Sequence, residues 1–370
     1  MIKTLSLKST KSQIDFPLIV TTVVLVIFGL IMIYDASIVA SYRDFGDRLY
    51  YLKNQLVWAS LGAIAMTFFS LFDYHRLAKI APILFLISIF FLIIVLVPQI
   101  GTKIYGARRW ISFLGFNFQP SELAKLALIF YQTRVLTKFQ NEKMHILDVF
   151  YVLFLPTAVA TILVLAEPDL GSALILIGIV LATYFVAQGP IWHFLILIPI
   201  TTLAAAAAIT AQPYRLERLR SYLDPNFDPQ GASYQIRQIL ISIASGGLFG
   251  VGIGSSRGKF DFIPEVQSDA IFAVIAEELG FVGALLLISL LVFVIIRAIA
   301  IARGARDFEG KVLATGICAA LSIQTLLNLA SMVALTPLTG VPLPLISYGG
   351  SSLLVTTSAI GILVNIKRQS

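Results

Sequence analysis

Asp269 is the acidic residue whose position best suits chemistry. It follows the segment 262–268 and stands directly before the apolar run 270–276. A carboxylate at the start of a helix accepts hydrogen bonds from the N–H groups there, so helix capping is one interpretation. Partial burial raises the pKa of a carboxyl group toward that of a general base, so catalysis is another, and one residue can serve both roles.

Two more sets of charged residues lie in apolar segments. Glu277 and Glu278 follow Asp269 by two helical turns, or about 12 Å along a helix. Adjacent side chains cannot share one helix face, so at least one of them turns toward a polar cavity or a cation. Glu122 and Lys125 have the i, i+3 spacing of an ion pair within a helix. Structural pairing explains both sets, and a polar cavity or an ion pathway is the alternative.

Arginines and small polar residues form two further candidate contacts. Arg108 and Arg109, followed by Trp110, suit a phosphate group, because arginine binds phosphate through two parallel hydrogen bonds. A tryptophan at this place also fits a plain membrane anchor. Ser347 begins the small polar run 347–352, which suits close helix packing or the wall of a cavity.

Metal and nucleotide sites are not indicated by the residue pattern. Cys318 is the only cysteine, which excludes an intrachain disulfide or a cysteine-based zinc site, and the three histidines lack metal-ligand spacing. The glycines of 246–254 resemble a phosphate-binding loop only superficially, since no strand–turn–helix unit surrounds them. Close packing or re-entrant turns explain these glycines better.

The elements that hold these residues are predicted to be membrane helices. Of the 370 residues, 58% are hydrophobic and 13% charged, whereas soluble domains are about half apolar and about a quarter charged. Long unbroken apolar runs predict an all-α bundle rather than a barrel, because backbone polar groups in lipid must be paired within the protein. The net charge of +7 fits basic cytoplasmic loops and does not indicate nucleic-acid binding.

A span needs about 20 residues, and ten candidate segments make a single polytopic domain over residues 1–370. They are Phe16–Ile38, Tyr51–Phe72, Leu77–Pro98, Leu123–Leu136, Val149–Ala166, Leu170–Ala187, Ile191–Ala211, Ala270–Ala298, Lys311–Leu335 and Leu343–Ile366. Lys and Arg gather in alternate loops, which predicts that both termini are cytoplasmic. The large loop 212–268, between the seventh and eighth spans, is then extracytoplasmic.

Eight segments in chain order resemble the SEDS family, whose members are FtsW, RodA and SpoVE. They are Ala107–Ile111, Gln119–Lys125, Glu167–Gly171, Asp224–Gly231, Ser245–Gly250, Pro264–Asp269, Ala276–Gly280 and Pro342–Ser352. The run Gly247–Phe260 resembles the division member, FtsW, more than the elongation member, RodA. The chain departs from the family at Ala270, where the family often has Phe, and at Asp35, where it often has Ser.

The resemblance implies a ten-transmembrane-helix glycosyltransferase that polymerises lipid II on the outer face of the cell inner (cytoplasmic) membrane, for cell division or cell shape. It implies that Asp269 is the essential catalytic residue and that an acid is common at the position of Asp261. We predict that Asp269 acts as general base and that Asp261 belongs to the substrate site. Arg108, Arg109 and Lys125 would hold the leaving diphosphate, with a divalent cation (Mg or Mn) as candidate cofactor. The implied partners are a class B penicillin-binding transpeptidase and other divisome or elongasome proteins.

Two other functions stay open at this stage. A flippase would transport lipid II past the polar groups of Glu122, Lys125, Glu277 and Glu278. A scaffold would recruit the transpeptidase without catalysis. The candidate substrate-binding residues in the enzyme interpretation are Arg108, Arg109, Glu122, Lys125, Asp261 and Ser347.

Overall fold

The computed structural model describes residues 14–104, 107–113, 116–140, 145–224, 227, 231–259 and 263–370. The helices are α1 (Phe16–Phe45), α2 (Tyr50–Leu71), α3 (Tyr74–Lys79), α4 (Ala81–Val95), α5 (Pro120–Lys138), α6 (Ile146–Val149), α7 (Leu155–Ala166), α8 (Leu170–Val186), α9 (Ile191–Thr210), α10 (Pro213–Leu223), α11 (Ala232–Ser245), α12 (Ile271–Gly304), α13 (Phe308–Met332) and α14 (Gly350–Gln369). A π-helical segment, Phe150–Phe154, joins α6 to α7. The strands are β1 (Gly101–Ile104), β2 (Ala107–Phe113) and β3 (Phe116–Phe118).

The predicted all-α membrane fold is confirmed. Each of the ten predicted segments contains a helix, and 7 helices in the described part of the chain are long and apolar enough to cross a membrane. The apolar helices α4 and α8 are shorter. The helix α5 is neither one of these 7 helices nor one of the shorter apolar helices, because it carries four charged residues. The count of ten spans therefore stays a prediction.

The last helix begins later than predicted. It starts at Gly350 rather than at Leu343, because Pro344 has no N–H to donate and Leu345 adopts a φ of 66°. The residues before it instead form a turn, in which the N–H of Tyr348 donates to the carbonyl of Gln267 at 2.9 Å. This bond holds the turn beside the residues that precede α12.

The loops between spans contain structure that hydropathy does not reveal. The three strands form an antiparallel sheet in the order β1-β2-β3, with Thr102 opposite Trp110 and Ile111 opposite Phe118. The large loop 212–268 contains α10 and α11, and α11 packs against α12. The prediction of helices alone missed this small sheet.

The glycine-rich segment is a packing element against a break in α12. Gly280 interrupts that helix with a φ of 67°, which exposes backbone carbonyls that need partners. The N–H groups of Val251 and Gly252 donate to the carbonyls of Glu277 and Glu278 at 3.0 and 3.1 Å. The close-packing interpretation of the glycines is therefore observed, and the segment fixes the direction of the first two turns of α12.

The main helix contacts place the ends of distant segments side by side. The helix α14 packs along α2, and α13 packs against both α8 and α12. The turn before α14 and the turn before α12 meet through the bond between Tyr348 and Gln267. A cavity lies next to this junction.

Candidate active site

A cavity of about 670 Å³ lies where α1, α2, β2, α10 and the turns before α12 and α14 meet. Its aromatic lining residues are Phe45, Tyr50, Tyr51, Trp58, Trp110 and Tyr348. Its charged lining residues are Asp44, Arg109, Arg215, Arg218, Glu265 and Asp269. Aromatic faces stack on sugar rings and arginines bind phosphates, so the lining suits a glycosylated phosphate compound.

Asp269 lies in the wall of this cavity, and its side chain does not cap the helix. The helix α12 begins at Ile271 with Ala270 at the N-cap position and without a side-chain cap bond, so the capping interpretation is wrong. The residue is 9% exposed, and within the described part of the chain its Oδ1 has no hydrogen-bond partner. Burial raises the pKa of Asp269, against the lowering effect of Arg218 and Arg109. A carboxylate of this kind suits proton abstraction.

The backbone of Asp269 is held from the opposite side. The side-chain amide of Asn328, on α13, donates to the carbonyls of Asp269 and Val341, each at 2.8 Å. This single amide ties the turn before α12 to the segment that leads to α14. The position of the carboxylate is thus set by backbone contacts, and its side chain remains toward the cavity.

Two arginines from distant parts of the chain converge on the same place. Arg109 donates through Nε to the carbonyl of Glu167 at 2.9 Å and also to that of Pro168, and Arg218 donates through Nη1 to the carbonyl of Leu338 at 2.8 Å. These backbone anchors restrict both guanidinium groups.

Gly340 marks the point where these groups meet. A Cβ atom on Gly340 would lie 3.8 Å from Oδ2 of Asp269 and 3.9 Å from Nη1 of both Arg109 and Arg218. The φ of Gly340 is 67°, a conformation that favours glycine. A carboxylate and two cations therefore surround one open position.

Glu265 completes the charged group, and sequence reasoning did not single it out. It lines the cavity four residues before Asp269, with a φ of 50° that is uncommon outside glycine. Burial and the charge of Asp269 raise its pKa to about 7, while Arg109 and Arg218 lower it. Glu265 could have been identified from the sequence, because it lies in Pro264–Asp269, one of the segments that resemble the family. Arg218 lies in no such segment, so the sequence did not mark it as a site residue.

Several predicted site residues lie elsewhere. Arg108 is next to Arg109 on β2, but only Arg109 is among the described lining residues. Arg109 falls at a register shift in the pairing of β1 with β2, where Thr102 lies opposite Trp110 and Lys103 opposite Arg108. Ser347 is buried, and its Oγ accepts a bond from the N–H of Leu343 at 2.8 Å. Asp261 lies outside the described residues.

Glu122 and Lys125 form the predicted ion pair. Their side chains are 2.8 Å apart, both are buried in the bundle, and Nζ of Lys125 also donates to Gln324 at 2.9 Å. They line a separate cavity of about 30 Å³. The amide of Gln324 reaches Ser352, a lining residue of the large cavity, at 3.3 Å. The pair is thus one hydrogen-bonded residue away from that cavity.

Glu277 and Glu278 belong to a structural network. Glu277 accepts bonds from the hydroxyls of Ser242 and Ser256 at 2.7 and 2.6 Å and from the N–H of Arg257 at 3.1 Å. Glu278 accepts from Nζ of Lys259 at 3.3 Å. Nζ of Lys259 lies 3.0 Å from the carboxylate of Asp35, on α1. The structural interpretation of this acidic pair is therefore the one observed.

Glu167 and Asp169 flank Pro168 at the turn between α7 and α8. The side chain of Asp169 caps α8 by accepting the N–H of Ser172 at 2.9 Å. Glu167 is fully buried, and burial together with the charge of Asp169 raises its pKa to about 9, against the lowering effect of Arg109. Glu167 is therefore neutral at physiological pH and leaves the charge of Arg109 uncompensated from that side.

Known proteins resemble the chain over nearly its whole length. A family model described as cell cycle protein, covering FtsW, RodA and SpoVE, matches residues 16–370. Stage V sporulation protein E of Bacillus subtilis (strain 168) is 39% identical over 364 residues, which cover 97% of this chain and 98% of the relative. A protein of Geobacter sp. (strain M18), named probable peptidoglycan glycosyltransferase FtsW, is 36% identical over 352 residues, covering 95% and 96%.

Two solved structures share the fold. One is a chain of a peptidoglycan synthase complex that coordinates polymerization and crosslinking, with a TM-score of 0.77, 28% identity, and coverage of 96% of this chain and 98% of that one. The other is the rod shape determining protein RodA of Thermus thermophilus, with a TM-score of 0.70, 28% identity, and coverage of 96% and 97%. The resemblance predicted from the motifs is confirmed, and the FtsW-like interpretation is consistent with the named sequence relatives.

Proposed function

The chain belongs to the FtsW, RodA and SpoVE family of cell cycle proteins, and on that premise we propose that it is a peptidoglycan glycosyltransferase that polymerises lipid II. Relatives named as peptidoglycan glycosyltransferases support this activity. The single observation that carries the proposal is the convergence of Asp269, Arg109 and Arg218 around Gly340 in one cavity. A base and two phosphate ligands are the groups that displacement of a diphosphate requires.

In this mechanism Asp269 acts as general base. Its carboxylate takes the proton of the 4-hydroxyl group of an acceptor N-acetylglucosamine. The hydroxyl oxygen forms a bond with the anomeric carbon of the donor's N-acetylmuramic acid, while the bond from that carbon to the diphosphate breaks. Direct displacement inverts the α linkage to β and releases undecaprenyl diphosphate. The buried Oδ1 of Asp269 and its raised pKa support the role.

Arg109 and Arg218 stabilise the negative charge that develops on the leaving diphosphate. Arginine forms bidentate contacts with phosphate oxygens, and such contacts strengthen where water is excluded. Arg109 keeps its predicted role, and Arg218 takes the place proposed for Arg108. The ion pair of Lys125 with Glu122 is buried outside the large cavity, so Lys125 acts at most through Gln324 and Ser352.

A divalent cation stays a candidate cofactor, although the described residues do not form a metal site built from protein ligands alone. Within that part of the chain, no three His, Cys, Asp or Glu side chains are grouped so as to hold a metal ion. Mg or Mn would be held chiefly by the diphosphate of the substrate and by water, since Mg usually binds through substrate phosphates with only one or two carboxylates. The steps proposed for Asp269, Arg109 and Arg218 do not pass through a metal.

The location and the partners are also part of the proposal. The basic loops support a multi-pass protein of the cell inner membrane with both termini cytoplasmic and the cavity on the outer side. Since the similar solved chain belongs to a synthase complex that joins polymerization to crosslinking, we expect a class B penicillin-binding transpeptidase as partner. Other divisome or elongasome proteins would associate with that pair.

The flippase and scaffold functions are tested with the same proteins. Labelled lipid II is supplied to the purified chain with its transpeptidase, and polymer is compared between wild type and the variants Asp269→Asn and Asp269→Ala. Polymer from wild type alone supports the enzyme with Asp269 at its active site. Equal polymer from folded variants would move catalysis to another residue.

A second readout separates the transport function. Movement of lipid II across vesicles that contain the chain, without polymer, would replace the enzyme by a flippase. If a folded complex shows neither polymer formation nor lipid transport, the scaffold function is the one that remains. The buried cavity beside Glu122 and Lys125, about 30 Å³, is far smaller than a disaccharide headgroup, so we expect no transport along that path.

A further inference from the structure

The charged groups that line the large cavity are balanced when all are ionised. In the described lining, Arg109, Arg215 and Arg218 face Asp44, Glu265 and Asp269. The carboxylate of Asp44 is already paired with Arg43 at 2.7 Å. A diphosphate diester carries a negative charge on each phosphate across the working pH range. With Asp44 paired outside the lining, the three arginines face two carboxylates, Glu265 and Asp269, and the surplus is one positive charge. Protonation of one of these carboxylates raises the surplus to two, which matches the two charges of the diphosphate.

Glu265 is the lining group whose charge can change near neutral pH. Three charged side chains act on it from three elements: Asp269 from the turn before α12, Arg109 from β2 and Arg218 from α10. These are the same groups that converge on Gly340. The left-handed backbone of Glu265 and the bond from the N–H of Ser268 to its carbonyl, at 2.9 Å, fix the turn that carries it.

We propose that Glu265 is a positioning residue whose protonation is coupled to the binding of the donor's diphosphate. The ionised form attracts the charges of Arg109 and Arg218 and so competes with the diphosphate for both guanidinium groups, and the neutral form removes this competition. The inference deepens the proposed function and rests on it for the identity of the ligand. It assigns Glu265 a role through the arginines rather than in the bond-forming step.

The direction of the pH effect follows from linkage. Because the pKa of Glu265 is raised to about 7, the group is mostly neutral below that pH and mostly ionised above it. A diphosphate beside Arg109 and Arg218 disfavours the ionised form, so binding is accompanied by proton uptake. By reciprocity, deprotonation of Glu265 weakens binding, and affinity falls as pH rises through this range.

The experiment measures binding without turnover. The probe is fluorescent lipid II whose N-acetylglucosamine 4-hydroxyl is blocked, so that it cannot serve as acceptor, and the protein is the full chain in nanodiscs. For wild type we expect affinity to fall about tenfold between about pH 6 and about pH 9, with a midpoint near 7. For Glu265→Gln we expect no such fall, and binding at about pH 9 that is about tenfold tighter than that of wild type.

The gain at high pH distinguishes the proposal from structural damage, which would only weaken binding. The matched control is Glu217→Gln, the same change at an exposed residue of α10, and it should follow the wild-type curve. If Glu265→Gln does not fold, Glu265→Asp keeps a titrating group and should retain the fall in affinity. A flat wild-type curve, or a Glu265→Gln curve that follows wild type, would overturn the inference.

The proposed function can fail separately. Wild type that binds blocked lipid II with the expected pH dependence, yet makes no polymer from unblocked lipid II, would refute the glycosyltransferase and leave the coupling at Glu265 intact. Polymer formation together with pH-independent binding would support the glycosyltransferase and refute the coupling at Glu265.

Discussion

Two pairs of acidic residues, Glu265 with Asp269 and Glu277 with Glu278, lie on either side of the start of α12. Glu277 accepts three bonds of 3.1 Å or less, and Glu278 contacts Lys259. The first pair instead lines the large cavity, and Oδ1 of Asp269 has no partner in the described residues. Oε2 of Glu278 likewise has no partner in the described residues, so access to the cavity is what separates the pairs. Glu265 and Asp269 line the cavity, whereas Glu277 is enclosed by donors that stabilise the fold.

The largest expected effect is on catalysis by the variant Asp269→Asn. We expect polymerisation to fall by about 10²- to 10⁴-fold, the usual contribution of a general base. The thermal unfolding midpoint should stay unchanged or rise, because Oδ1 loses no hydrogen bond. Polymer yield and differential scanning fluorimetry of the same preparation check both statements. If activity falls only in proportion to the amount of folded protein, Asp269 has a structural role like that of Glu277, and the proposed difference between the two residues is wrong.

The same chemical change at Glu277 should act on stability. In Glu277→Gln, an amide N–H₂ group faces the donors that now bind the carboxylate, so the free energy of unfolding should fall by about 2 kcal/mol. Reversible unfolding in mild detergent measures this value. The specific activity of the folded fraction should remain close to that of wild type, and a catalytic defect without a stability loss would contradict the structural assignment.

A smaller effect is expected at the arginines. Arg218→Lys keeps the charge but removes bidentate contacts that strengthen as charge develops on the leaving diphosphate, so kcat/KM for lipid II should fall about tenfold, with part of the loss in kcat. The control is Arg220→Lys on the same helix, whose guanidinium lies over the ring of Phe227 at 5.7 Å and is not among the described lining residues. Equal effects from both variants would argue against a phosphate contact at Arg218.

The smallest effect is expected at Asp35, one of the positions where the chain departs from the family. Nζ of Lys259 lies 3.0 Å from Asp35 and 3.3 Å from Glu278, so one cation serves two carboxylates. Asp35→Ser leaves a one-to-one pair of Lys259 with Glu278, and the free energy of unfolding should fall by about 1 kcal/mol, the usual net contribution of one hydrogen bond. Lys259→Met, which leaves two buried carboxylates, should cost several times more. Similar losses from both variants would refute the shared pairing.

Local patterns predicted much of the molecule. Hydropathy located every long apolar helix, and the i, i+3 spacing of Glu122 and Lys125 predicted the ion pair that the structure contains. The capping interpretation of Asp269 failed because the helix begins at Ile271, with Ala270 in the capping position. Propensity does not place a helix end to a single residue when tertiary bonds compete for the same backbone.

The arginine pair illustrates a different kind of error. The sequence alone does not distinguish Arg108 from Arg109. In the structure Arg109 falls at a register shift in the pairing of β1 with β2, and of the two only Arg109 is among the described lining residues. The sheet was not predicted, so the choice between them could not be made. Arg218 lies in a segment whose own pattern indicates only an amphipathic helix.

The sequence by itself determined the membrane environment, the helices and the family, because these depend on apolar content and on motifs that are local in the chain. Only the tertiary structure decided which charged groups meet. Arg109, Arg218, Asp269 and Gly340 come from four separate segments, and their convergence depends on how α10, α12 and α14 pack. The pKa of Glu265 follows from that convergence, since burial and neighbouring charges exist only once the chain is folded.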